Sequence, residues 1–167
     1  SEQISLAGME ASGTGNMKLM MNGAVTIGTA DGANIEILER VGEEAFFLFG
    51  LNAEEVIARR QGYHPDAIIA ADPDLSAVMN LLENGHFNLF EPGIFDDIIG
   101  AVRSPSDPWM LAADFRAFID AQRRVEAAFA DQPRWLRMSI LNTARSCFFS
   151  SDRTIAEYDR DIWRVRA

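Results

Sequence analysis

Lysine is almost missing from these 167 residues: of fifteen basic side chains fourteen are arginine, and Lys18 stands alone. Cys147 is the single cysteine, so no disulfide can form within the chain, and a reducing compartment, the cytoplasm, is the expected location. His64 and His86 are the only histidines, one in a Tyr-His-Pro turn and one in an Asn-Gly-His loop. Neither has ligand partners at useful spacing, so no metal is expected. No apolar run approaches the roughly 20 residues that span a bilayer, so no membrane partner is expected. The opening Ser1-Glu2-Gln3-Ile4 carries no methionine and no secretory leader. The expectation is that further chain precedes it.

Positive charge is scarce in one part only. Residues 1–102 hold four cations against sixteen carboxylates, a net of −12. Residues 103–167 hold eleven arginines against nine carboxylates, a net of +2. The first part has no basic stripe of the kind nucleic acid requires, and the second reads as solvated helix faces. A lysine kept where arginine is otherwise used draws attention, because only an amine can form an imine with a carbonyl.

What is present reads as one α/β unit. A short helix is expected from Asn16 to Asn22, ended by Gly23. Ala24–Gly28 reads as a strand, followed by an Asp31-Gly32 turn. Ile35, Leu38 and Val41 space as one apolar helix face. Ala45–Phe49 reads as a strand buried on both sides, and Glu54–Arg60 as a helix. From Asp72 onward the pattern is helical. The expected helices are Asp74–Leu82, Phe95–Val102, Phe115–Phe129, Pro133–Arg145 and Ser151–Val165, with Asp131 capping the fourth. Ser104-Pro105 and Asp107-Pro108 mark a loop.

The chemically informative stretch is Glu10-Ala-Ser-Gly-Thr-Gly-Asn-Met-Lys18. Gly13 and Gly15 let backbone amides approach a ligand, the following helix offers free N–H groups, and Thr14 adds a hydroxyl. Lys18 lies about one turn further on. The spacing is neither a Walker A loop nor a full GxGxxG fingerprint, since Lys18 takes the third glycine position. Two readings stand on spacing alone. One is a phosphate site with a covalent lysine beside it; the other is a Gly-rich turn that starts a helix, with Lys18 on its exposed face.

This stretch, with Glu2-Gln-Ile-Ser5, Ala7-Gly8, Asn22-Gly-Ala24, Thr26-Ile-Gly-Thr29 and Asp31-Gly-Ala-Asn34, resembles the cofactor segment of the α-glucan phosphorylases, which act on glycogen, starch or maltodextrin. Gly42-Glu-Glu44, Phe47-Leu-Phe-Gly50, Ser150-Ser-Asp-Arg-Thr-Ile155, Tyr158 and Ile162-Trp163 extend the likeness over nearly the whole chain. Residues 57–108 match in pattern more than in identity. Met9 departs, standing where a small polar residue is usual.

The resemblance implies that residues 1–167 are the C-terminal part of a pyridoxal-phosphate-binding domain. Its fold would be Rossmann-like, a three-layer αβα arrangement within a GT-B-type enzyme, with a helical C-terminal portion. Lys18 would carry pyridoxal 5'-phosphate, and Gly13, Thr14 and Gly15 would hold the cofactor's phosphate. Glu10 would bond glucose hydroxyls, joined by the amides of Ser12 and Gly13. The reaction implied is retaining phosphorolysis of the terminal α-1,4-linked glucose to glucose 1-phosphate, with the cofactor phosphate relaying a proton. Glucan and inorganic phosphate would be the partners; the whole enzyme could be a homodimer, its oligomeric state being left open by the sequence. Two phosphates need several cations. Residues 1–102 supply few, so the others are expected upstream of Ser1, and the chain alone is expected to be inactive. Two rivals remain: a nucleotide-sugar glycosyltransferase of similar architecture, and an excised binding domain without catalysis.

Other conspicuous residues read as ordinary structure. Cys147 beside Phe148 and Phe149 reads as a buried thiol. Asp96-Asp97 reads as a solvated helix start, and Asp31-Gly32 as a turn first, with a supporting role beneath the cofactor as the alternative. Phe46, Phe47, Phe49, Trp109, Trp135 and Trp163 read as packing residues.

Overall fold

Three short strands organise the N-terminal part. The computed structural model describes residues 1–165. In it β1 (Glu2–Gln3), β2 (Thr26–Gly28) and β3 (Phe46–Leu48) form a parallel sheet in the order β1-β2-β3. Glu2 pairs with Ile27, and Ile27 with Phe47. Parallel neighbours cannot be joined by a hairpin, so each connection is a crossover. Helix α1 (Gly15–Met21) makes the first, and α2 (Asn34–Val41) with a 3₁₀ turn over Glu43–Ala45 makes the second. The result is a β-α-β-α-β unit, and the carboxyl ends of all its strands lie along one edge.

The rest is helical. α3 (Ala53–Arg60) opens on a capping box in which Asn52 and Glu55 bond each other's amides. α4 (Pro65–Ala71) and α5 (Pro73–Glu83) each carry proline in the first turn, where no amide partner is lost. α6 (Asp96–Arg103), α7 (Leu111–Ala130), α8 (Gln132–Arg145) and α9 (Ser151–Tyr158) follow. Asp131 caps α8 as expected, accepting from the Arg134 amide at 3.2 Å.

Two apolar cores hold these elements. The first gathers Met20, Val25, Ile27, Ile37, Val41, Phe46, Phe47 and Phe49 beneath Ala121 and Ala128 of α7 and Met138 of α8. The alanines let α7 approach closely, and α7 contacts both β2 and β3. The second joins Leu6 and Ala7 to α3, α4 and α5 through Val56, Tyr63, Ile69, Leu75 and Met79. α7 therefore spans both cores, with Ala112 in the second.

The α/β architecture agrees with the sequence reading, and several details correct it. In α2 Ile37 and Val41 are buried and Leu38 packs partly against the first core, while Ile35 is 45% exposed. The inward stripe is thus Asn34, Ile37 and Val41, shifted because Asn34 makes a buried polar contact. β3 buries Phe46 and Phe47 on opposite faces as expected, and Leu48 at its end is 38% exposed. β1 and α4 were not expected; each is short, and neither shows a full period of its own. The final helix changes to a π turn at Asp159–Trp163. Cys147 is exposed, because a 3₁₀ turn at Ser146–Phe149 sends Phe149 onto the first core instead. Trp135 packs on that core, but Trp109 and Trp163 are 51% and 54% exposed. His64 and His86 are exposed, as are Asp96 and Asp97 at the start of α6.

Candidate functional site at the carboxyl edge of the sheet

In an open parallel sheet, ligands bind outside the carboxyl ends of the strands, where the connecting loops converge. Here those loops are residues 4–14 after β1 and 29–33 after β2. The second is laced under the first. Thr29 Oγ1 donates to the Ser5 carbonyl at 2.6 Å. The buried Asp31 carboxylate accepts from the amides of Gly8 at 2.8 Å and Glu10 at 2.7 Å, one on each oxygen. The Ala33 amide donates to the Ser12 carbonyl at 2.6 Å. Asn16 Nδ2 then donates to Asn34 Oδ1 at 2.9 Å, and Asn34 Nδ2 to the Thr29 carbonyl at 3.1 Å. All of Thr29, Asp31, Asn34 and Asn16 are buried, so each of these bonds satisfies a group that water cannot reach.

The upper loop faces outward. Glu10, Ser12, Thr14 and Gly15 are exposed. Gly13 has φ +84°, a left-handed conformation that turns the chain into α1. Among the described residues the amides of Gly13, Thr14, Gly15 and Asn16 donate to no protein acceptor. The next amide, Met17, is taken by Asn16 Oδ1 at 2.8 Å. Thr14 precedes the helix, yet its hydroxyl makes no capping bond. A Cβ built on Gly15 would meet nothing within 4 Å, so the space above it is open. The turn is thus a row of donors with no internal partner, suited to an anion bearing several oxygens.

Lys18 follows one turn later; its amide donates to the Thr14 carbonyl at 3.2 Å. Asn16 and Met20 face inward, which directs Lys18 to the exposed side of α1. Among the described residues no carboxylate lies within ion-pair distance of its ammonium. Glu10 and Ser12 meet directly, the Ser12 amide donating to Glu10 Oε1 at a long 3.4 Å. Such a bond is weak, and a ligand hydroxyl can replace it.

The residues present fit a phosphate-bearing cofactor attached at Lys18. The free amides and Thr14 match the phosphate, and the unpaired amine lies beyond them. An apolar groove of about 260 Å³ between α5, α6 and α7 is lined by Leu75, Met79, Trp109 and Phe115. It contains none of these donors. Among the described residues no cluster of His, Cys, Asp and Glu could hold a metal ion, and no helix is long and apolar enough to cross a membrane.

Sequence reading singled out Glu10, Ser12, Gly13, Thr14, Gly15 and Lys18; all lie on the loop and helix that follow β1, and all but the half-buried Gly13 are exposed. It treated Asp31 first as a turn residue and did not single out the Asn16–Asn34 pair. The available signal was three short polar residues, Thr29, Asp31 and Asn34, directly after an apolar strand. Such residues are seldom buried without a hydrogen-bond partner.

Comparison with known proteins adds a second line of observation. The carbohydrate phosphorylase family profile matches residues 1–165. The glycogen phosphorylase of Synechocystis sp. is 52% identical over 99% of this chain and 20% of its own length. The muscle form of glycogen phosphorylase from Bos taurus is 48% identical over 99% of this chain and 20% of its own. The chloroplastic/amyloplastic α-1,4 glucan phosphorylase L-1 isozyme of Solanum tuberosum is 47% identical over the whole chain and 17% of its own length. The chain therefore spans about one fifth of the curated relatives it matches.

Proposed function

Because the chain belongs to the carbohydrate phosphorylase family, we propose that it is the C-terminal part of the pyridoxal-phosphate-binding domain of an α-glucan phosphorylase. The whole enzyme would release the terminal α-1,4-linked glucose of glycogen or a related glucan as glucose 1-phosphate, with retention. The parallel β-α-β-α-β unit is compatible with a Rossmann-like layer of a GT-B-type enzyme. The observation that carries the reading is the run of unpartnered donors from Gly13 to Asn16, one helical turn from the chain's single lysine.

Each residue then has a defined task. The amides of Gly13, Thr14 and Gly15 and the Thr14 hydroxyl hold the cofactor's phosphate. The Lys18 amine attaches the cofactor ring, a bond that arginine cannot make. When bound, pyridoxal phosphate supplies a phosphate that exchanges a proton with the substrate phosphate. Glu10 and the Ser12 amide take a glucose hydroxyl between them. A hydroxyl both donates and accepts, so it donates a hydrogen bond to the carboxylate while accepting one from the N–H. The Gly13 amide adds a second contact. As positive charge develops on the sugar ring, the Glu10 carboxylate strengthens its hold, which favours the transition state over the bound glucan. Four acidic groups for every basic one across residues 1–102 leave two phosphates short of cations. The remaining cations belong to other parts of the enzyme, which would also complete a homodimer in the cytoplasm.

The test is borohydride reduction of the full-length holoenzyme followed by peptide mapping. The label is expected on Lys18, and a label elsewhere refutes the assignment.

A further inference from the structure

Among the described residues Asp31 is the only buried carboxylate under the loop, and nothing in the reaction described above uses it directly. Its two oxygens are both committed, at 2.8 Å to the Gly8 amide and 2.7 Å to the Glu10 amide. These are charge-assisted bonds, shorter and stronger than neutral ones. They act on one arm of the loop only. The other arm, which enters α1 and carries Lys18, hangs on a separate pair, Asn16 and Asn34. One six-residue segment after β2 thus holds the two arms by two different side chains.

We propose that Asp31 is a positioning residue for sugar binding, one that fixes the Glu10 backbone and so aims the Glu10 carboxylate and the Ser12 amide, while leaving cofactor attachment to the Asn16–Asn34 pair. The proposal rests on the reading of Glu10 as a sugar contact. Fixing the Glu10 amide fixes the direction in which its side chain leaves the backbone. The 3.4 Å approach of Glu10 Oε1 to the Ser12 amide shows both groups already turned toward one point. Loss of one acceptor on Asp31 frees the arm, because an asparagine amide would set its own N–H₂ against a backbone N–H.

The experiment is a mutant cycle in the full-length holoenzyme, with Asp31→Asn, Glu10→Gln and the double variant. Bound cofactor is measured by its absorbance and stoichiometry, and kcat and KM for glucose 1-phosphate in the synthetic direction. Asp31→Asn should lower kcat/KM for glucose 1-phosphate at least tenfold with cofactor content unchanged. The double variant should lose less than the product of the two single losses, since a carboxylate that is gone cannot be misaimed while the Ser12 amide still can. Asn34→Ala should show the opposite pattern, with cofactor content falling.

Multiplicative losses in the double variant, normal kinetics in Asp31→Asn, or loss of cofactor from it would each overturn the proposal. If Asp31→Asn does not accumulate as folded protein, Asp31→Glu serves in the same cycle. It keeps both acceptors and displaces the arm by one methylene, with the same expectations. Unchanged kinetics in Glu10→Gln itself would instead refute the sugar-site reading, and this inference with it.

Discussion

Gly32 lies directly beneath the Ser12 carbonyl: a Cβ built on Gly32 would stand 2.5 Å from that oxygen. The same oxygen accepts the Ala33 amide at 2.6 Å. Gly32 also has φ +48°, a conformation side chains rarely adopt. The lower loop can pass this close only because position 32 has no side chain. That closeness brings Asp31 within reach of Gly8 and Glu10.

Gly32→Ala is therefore expected to damage the site without touching any donor in it. The left-handed backbone costs on the order of 1–3 kcal/mol for a non-glycine residue, and the clash with Ser12 adds to that. The full-length variant should show a lower Tm and weaker sugar binding together. A variant with native Tm and native kinetics would mean that the loops are looser than these contacts indicate.

Lys18→Arg keeps the charge and removes the amine. In the full-length protein it should abolish covalent cofactor attachment and activity, read by absorbance and by phosphorolysis assay. Retention of a covalently bound cofactor would move the attachment site to another residue.

Glu10→Gln keeps the shape and removes the charge. It should lower kcat/KM more than tenfold, about 1.4 kcal/mol or more of transition-state stabilisation. Normal kinetics would exclude Glu10 as a sugar contact.

These 167 residues by themselves should bind pyridoxal phosphate weakly and release no glucose 1-phosphate. The turn offers amides, one hydroxyl and a helix end contributing about 0.3–2 kcal/mol. Around it residues 1–102 carry a net of −12. Titration of the purified chain and an activity assay check this; tight stoichiometric binding with turnover would show that the site is complete.

A last prediction concerns acid stability. Asp72 receives both Nε and Nη2 of Arg116, at 2.8 and 2.6 Å, and caps α5 through the amides of Asp74 and Leu75. The Arg116 guanidinium, aided by these amides, holds its carboxyl down at about 2 from the usual 3.8. A depressed carboxyl stabilises the fold above its ordinary value, and the contribution is lost as pH falls through the folded value. Asp72→Asn keeps a capping oxygen and loses the ion pair. The Tm gap between wild type and Asp72→Asn should be constant above about pH 5 and have mostly closed by about pH 2. A gap that persists at pH 2 would show that the asparagine harms packing instead.

The sequence by itself carried the motif on which the proposed chemistry rests. Lysine scarcity, paired glycines around Thr14 and the long motif ending at Lys18 are local facts that need no tertiary contact to be read. The helices with clear caps, α3, α5 and α8, were legible for the same reason: capping residues and the first turn are neighbours in sequence. Tertiary structure decided what lies beneath the motif. Asp31 meets Glu10 across 21 intervening peptide steps, and Asn16 meets Asn34 across 18. β1 and β2 lie parallel, so their carboxyl ends fall on one edge and bring those loops together. No period or spacing announces such a contact. It exists because buried amides and carboxylates cut off from water must find each other. The same physics turned α2 by burying Asn34 and left Ile35 outside. It also exposed Cys147, where apolar neighbours in sequence had suggested burial.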